Sequence, residues 1–239
     1  MAGYPDRATS LDALRAAARG GADVIELGVP YGDPLADGPV IAEAAAVARA
    51  GEGGFGLVHA LQVAAAFIRD PGVDQAPPVV AMTYMNPVMR LGLAETADRM
   101  RDAGVAGLII PDMPPEASAP WRAVSKGLDT VFLVAPTSTD ERLAVVAAVS
   151  AGFVYCVSSM GVTGERESLA IGLAEQVARV KRHTDLPVAV GFGVGDAAQA
   201  AQVAAIADGV IVGSAIVRRQ SDPVAVESFV RELAAAVRS

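Results

Sequence analysis

The sequence predicts an α/β fold, a (β/α)8 TIM barrel that lacks its N-terminal helix and first strand. Three observations predict it. Short apolar runs alternate with amphipathic segments along all 239 residues, the order that parallel strands joined by helical crossovers produce. The chain is 52% hydrophobic but only 5% aromatic, as strands covered on both faces require. No linker or low-complexity stretch divides it, so residues 1–239 read as one domain of a length that suits such a barrel.

The elements follow in order. The chain opens with a helical pattern over 10–19, ended by Gly20 and Gly21. No apolar run precedes it, and the first residues read as the loop after an absent strand. A strand over 23–28 leads to helices over 40–50 and 57–69, and a strand over 78–84 to a helix over 93–103 that Gly104 ends. Strands over 105–111, 130–135 and 152–158 lead to helices over 116–126, 140–149 and 171–183. Strands over 187–191 and 209–213 lead to helices over 197–205 and 223–237. The count is seven strands, one short of a closed barrel. A missing strand opens two edges, so this form is expected to be poorly stable or weakly active.

The net charge is −8 and no basic run exists, which argues against nucleic acid and against an anionic membrane surface. A small phosphorylated substrate remains compatible, because backbone amides bind phosphate locally. The single cysteine, Cys156, rules out an internal disulfide, fits a reducing compartment and reads as a small core residue in a strand. The N-terminus carries no secretory pattern, so a cytoplasmic location is expected. Residues 143–164 carry no charge and are long enough to suggest a membrane span. Ser150, Gly152, Ser158 and Ser159 interrupt that stretch, which reads better as a helix end, a buried strand and a loop.

Barrel active sites lie at the C-terminal ends of the strands. That rule collects Glu26, Asp37, Tyr84, Asn86, Asp112 and Tyr155 on one face. It also collects the glycine-rich stretches GFGVG (191–195) and GSAIV (213–217) after the last two strands, where barrels often bind phosphate. There Ser214 is placed to cap a helix and offer its hydroxyl, and the GVTG loop (161–164) to add an N–H. The plainer alternative is that these glycines only serve tight turns.

Elimination narrows the chemistry. His59 and His183 sit in helical segments, with no pair at metal-ligand spacing. Lys126 and Lys181 close helices on the opposite face, so a Schiff base has no candidate. Carboxylates and tyrosines remain, and they point to general acid–base catalysis by Glu26 and Asp37. Glu26 has the alternative of a strand-end carboxylate paired with an arginine or a backbone N–H. Asp37 has the alternative of a helix N-cap before Pro39, and Asp33 reads as a turn former before Pro34.

The block ELGVPYGDPLADGP (26–39) resembles the signature of the tryptophan synthase alpha-subunit family. TYMNP, PDMPPE, GVTG, GFGV and GSAIV follow in that family's order, so the resemblance spans nearly the whole chain. It implies a lyase that cleaves indole-3-glycerol phosphate to indole and glyceraldehyde 3-phosphate. Glu26 resembles the family's acid–base residue, and Asp37 the carboxylate that accepts the indole N–H. Tyr155 is implied beside Glu26, and Tyr84 and Phe192 at the indole pocket. Gly164, Gly193, Gly213 and Ser214 are implied at the phosphate, with Thr163 on a loop that closes over the substrate. The resemblance implies no cofactor in this chain. It implies pyridoxal phosphate only in a beta-subunit partner of an alpha2beta2 tetramer, met by Asp33, Pro34 and Asn86. Two other readings share many of these features: a catalytically weak or inactive partner that activates the beta subunit, and a stand-alone indole-3-glycerol-phosphate lyase.

Overall fold

A computed structural model describes residues 1–34, 37–51, 54–158, 166–191 and 193–239. The strands are β1 (Ile25–Gly28), β2 (Val79–Met82), β3 (Gly107–Ile109), β4 (Asp129–Val131), β5 (Leu133–Val134), β6 (Val154–Val157), β7 (Val188–Gly191) and β8 (Gly209–Val210). The helices are α1 (Arg7–Gly20), α2 (Pro39–Ala50), α3 (Leu57–Ile68), α4 (Met85–Leu91), α5 (Leu93–Ala103), α6 (Ala119–Val124), α7 (Asp140–Val149), α8 (Arg166–Lys181), α9 (Ala197–Ala204), α10 (Ser214–Val217) and α11 (Pro223–Val237).

Every pairing between described strands is parallel, in the orders β1-β2-β3-β4 and β5-β6-β7-β8. The predicted strand over 130–135 is split into β4 and β5 at Phe132, yet the Phe132 carbonyl still accepts the N–H of Tyr155 at 3.1 Å. The α/β barrel therefore carries the seven predicted strand positions. Two short helices, α4 and α10, were not predicted, because seven and four residues are too few to show a 3.6-residue period. The predicted helix over 116–126 is instead a 3-10 turn at Pro115–Ala117 followed by α6. Pro120 lacks the N–H that a continuous helix would need there.

Strand alternation sorts the core into two layers. Val79 and Ala81 of β2, Leu108 of β3 and Val154 and Cys156 of β6 point outward to the helices, within the main cluster. Val80, Ile109, Val131 and Tyr155 point inward, packed with Met82, Leu133, Phe153, Val157 and Ile211. In β1 the flanking Ile25 and Leu27 belong to the outer layer. Glu26 between them must face the interior, in register with Val80. Cys156 is fully buried in β6, as predicted, and burial pushes its thiol up to about 12.

Among the described residues no ladder joins β8 back to β1. Residues 1–4 lie along that seam. The Ala2 N–H donates to the Gly28 carbonyl at 2.8 Å, and the buried Gln220 amide donates to the carbonyls of Met1 and Tyr4 at 2.6 Å each. Outside the seam α1 packs on α11 through Ala13, Ala16, Val226 and Val230. A Cβ at Gly20 would lie 2.7 Å from the Val230 side chain, so only glycine lets these helices meet. Asp6 caps α1 on the Thr9 amide (2.8 Å), and Asp222 caps α11 on the Val224 amide (3.0 Å). The stretch 143–164 is divided between α7, β6 and residues beyond it, and no described helix is long and apolar enough to cross a membrane.

Candidate active site

The mouth of the barrel gathers three acid–base groups. Glu26 comes from the interior face of β1, Asp37 from the loop that follows, and Tyr155 from the interior face of β6. Glu26 is exposed to solvent by surface area at the open mouth, yet its carboxyl is surrounded by the barrel wall, which removes part of its hydration. Burial raises its pKa to about 7; the Met1 ammonium opposes that shift and Asp37 adds to it. Asp37 is also held above the ordinary aspartate range by burial, against a hydrogen bond from Tyr84. The Tyr155 phenol is raised by burial first, and then by Glu26 and Asp37. These couplings place the three groups in one electrostatic neighbourhood. A carboxyl poised near neutrality can both give and take a proton at physiological pH.

The arginine pairing considered for Glu26 and the N-cap role considered for Asp37 do not match the described residues. The charges that act on Glu26 are the Met1 ammonium and Asp37, with no arginine among them. Gly38, not Asp37, is the N-cap of α2, and Asp37 instead accepts from Tyr84. Tyr84 follows β2, is buried, and stacks on Tyr31 with ring centroids 5.0 Å apart and planes at 28°. Tyr31 was absent from the sequence-based set. The signal was available, since three of the four tyrosines, at 31, 84 and 155, follow or sit within strands.

The second half of the sheet contributes space and backbone. A Cβ at Gly191, at the end of β7, would collide with the Tyr155 hydroxyl and ring. The glycine is what lets Tyr155 lie across that strand, a role hidden within GFGVG. Gly193 adopts φ +89, a left-handed conformation that favours glycine. Gly213 is exposed, and among the described residues no heavy atom beyond its chain neighbours lies within 4 Å of where its Cβ would be. Gly213, not Ser214, is the N-cap of α10, and Ser214 is the first helical residue. The cap assigned to Ser214 is thus corrected by one position, because Gly213 leaves the strand direction in an irregular backbone (φ −101, ψ −81).

Asp33 is exposed, Pro34 half-buried and Asn86 exposed, the last in α4 rather than in a loop. Met89, one turn further along α4, is 66% exposed. Thr163, Gly164 and Phe192, together with Ser159 and Met160, lie outside the described residues.

Comparison with known proteins finds relatives of the whole chain. The family model described as "Tryptophan synthase alpha chain" matches residues 1–238. The tryptophan synthase alpha chain of Streptomyces coelicolor is 46% identical over 223 residues, covering 92% of this chain and 80% of the relative. That of Acidothermus cellulolyticus is 46% identical over 243 residues, covering 98% and 88%. Among solved structures, tryptophan synthase from M. tuberculosis in its aminoacrylate-bound form superposes with a TM-score of 0.87 at 42% identity, covering 99% of this chain and 90% of that one. Tryptophan synthase subunit alpha from Legionella pneumophila superposes with a TM-score of 0.88 at 32% identity, with the same coverage of 99% and 90%.

Proposed function

The chain belongs to the tryptophan synthase alpha-chain family, and from that membership we propose how its barrel mouth performs the family's reaction. It is a carbon–carbon lyase of tryptophan biosynthesis that cleaves indole-3-glycerol phosphate to indole and glyceraldehyde 3-phosphate, and it pairs with a beta subunit.

In our reading, protonated Glu26 gives its proton to the indole ring carbon that carries the glycerol chain. Positive charge then develops at the ring nitrogen, and the Asp37 carboxylate accepts the indole N–H and offsets that charge. The Glu26 carboxylate takes the proton of the neighbouring glycerol hydroxyl. The carbon–carbon bond breaks, its electrons return to the indole ring, and the aldehyde forms. Glu26 ends protonated, as it began, and no electrons are gained or lost overall. The observation that carries this reading is an inward-facing glutamate held near pKa 7 beside a second carboxylate. Environments that separate two carboxylates in this way assign them acid and countercharge roles.

Tyr155 lines the site beside Glu26, and Tyr84 borders the indole. The amides at Gly213 and Ser214 receive the phosphate, since the first amides of a helix have no acceptor within it, and Gly193, whose left-handed backbone follows β7, adds its own amide. Phe192, Thr163 and Gly164 join the indole pocket, the closing loop and the phosphate site on the strength of their sequence motifs. Asp33, Pro34 and Asn86 meet the beta subunit of an alpha2beta2 assembly. This step uses side chains alone, with pyridoxal phosphate confined to the partner, and the whole span 1–239 acts as one barrel domain in the cytoplasm.

The test is product analysis with the purified chain and indole-3-glycerol phosphate, with and without a beta subunit. Release of indole and glyceraldehyde 3-phosphate that rises with the partner is expected. A folded chain that stimulates the partner yet releases no indole would refute the catalytic roles.

A further inference from the structure

The loop after β3 carries an acid that the reaction does not use. Asp112 is exposed, and its Oδ1 accepts the N–H of Met85 at 2.8 Å. Met85 is the first residue of α4. Amides at a helix start have no acceptor within the helix, and a capping side chain ordinarily takes one. In α4 the cap position is held by Tyr84, which makes no capping bond. Its hydroxyl is committed to Asp37 and its ring to Tyr31. The cap is therefore supplied from a different strand, and a carboxylate suits the positive end of the helix.

α4 is also held by packing, with Met85 and Leu91 against the main core, and by the Val88 carbonyl, which accepts the Thr96 hydroxyl at 3.4 Å. Val88 is its fully buried residue, while Asn86, Met89 and Arg90 face outward and Gly92 ends it. The groups that face Asp37 are Glu26 from β1, Tyr155 from β6 and Tyr84. We propose that Asp112 is a positioning residue for Asp37: by fixing the first turn of α4 it sets where Tyr84 stands, and so where the Tyr84 hydroxyl holds the Asp37 carboxylate. The inference rests on the role assigned to Asp37 above.

The experiment measures kcat for indole release against pH, with the beta subunit bound, for five single variants and one double variant. Asp112→Ala removes the acceptor. Met85→Pro removes the donor, along with a side chain that packs on the core, and proline is tolerated at a first helical position. The extended backbone of Tyr84 (φ −90, ψ 162) already suits a following proline. Both should lower kcat by about fivefold, the effect of one hydrogen bond. Both should also move the acid limb to higher pH, in the direction of Tyr84→Phe, because burial then acts on Asp37 unopposed. Adding Asp112→Ala to Tyr84→Phe should cost nothing further. Asp112→Asn keeps an acceptor oxygen and should retain the parent profile. An unmoved acid limb in both Asp112→Ala and Met85→Pro overturns the proposal, as does a loss that adds in full to that of Tyr84→Phe. Asp37→Asn separates the two levels. If it abolishes release while Asp112→Ala is silent, only Asp112's role fails; if it is itself silent, the premise fails as well.

Discussion

On one side of the break at Phe132, the strands and loops bring side chains to the barrel mouth: Glu26 from β1, Asp37 after it, Tyr84 after β2 and Asp112 after β3. On the other side, Tyr155 is the titratable group identified at the site; β7 ends at Gly191 with Gly193 just beyond it, and Gly213 follows β8. One half supplies proton chemistry, and the other supplies room and backbone amides. The division follows from the task. Moving a proton needs groups with tuned pKa values, whereas a bulky phosphorylated ligand needs a surface from which side chains have been withdrawn. Substitutions in the first half should therefore appear in kcat and its pH dependence, and those in the second half in KM and stability.

The largest effect should come from Glu26→Gln. It keeps the shape and loses the proton, and kcat should fall by about 10³-fold with KM little changed. Steady-state indole release measures both, and a rise in KM alone would break the division. Gly213→Asp should come next. The position has room for a side chain, but a carboxylate there would repel a phosphate. KM should rise by roughly tenfold, about 1.4 kcal/mol of lost binding, with kcat kept. An equal fall in kcat would place Gly213 in the chemical step instead.

Gly191→Ala should act through packing. Its Cβ would collide with Tyr155, and overpacking of this kind costs about 1–3 kcal/mol. Urea unfolding would measure the loss, and an unchanged midpoint would mean that the Tyr155 ring moves aside freely. The smallest effect belongs to a control on the outer layer. Thr83 follows Met82, is buried, and its hydroxyl has no hydrogen-bond partner among the described residues. Removing an unpartnered buried hydroxyl is close to neutral or stabilising, so Thr83→Val should shift the same midpoint by less than about 1 kcal/mol and leave kcat alone.

Within each half, sequence alone could read some features and not others. Glu26 was legible because an acid inside an apolar strand has few explanations, and the alternation of Ile25 and Leu27 turns it inward. The long helices α5, α7 and α11 were legible to their end residues, because period and turn residues agree there. What stayed hidden depends on contacts between segments distant in sequence. The collision that keeps Gly191 a glycine involves Tyr155, 36 residues earlier. The cap that Asp112 gives α4 crosses from a loop to a helix start, with donor and acceptor 27 positions apart. The same holds at the seam, where Gln220 holds Met1 and Tyr4 across more than two hundred residues. No local pattern encodes such pairs.

The account turns on Glu26 carrying a proton at neutral pH, and the most direct measurement is kcat/KM for indole release between pH 5 and 9. As pH rises through about 7, Glu26 loses its proton, the acid that must reach the ring carbon is gone, and activity should fall. As pH drops, Asp37 takes up a proton and the countercharge is lost, on a limb that burial moves above the ordinary aspartate range. A bell with its basic limb near pH 7, absent from the residual activity of Glu26→Gln, is the predicted result. A parent profile that stays flat from neutrality to pH 9 would contradict it.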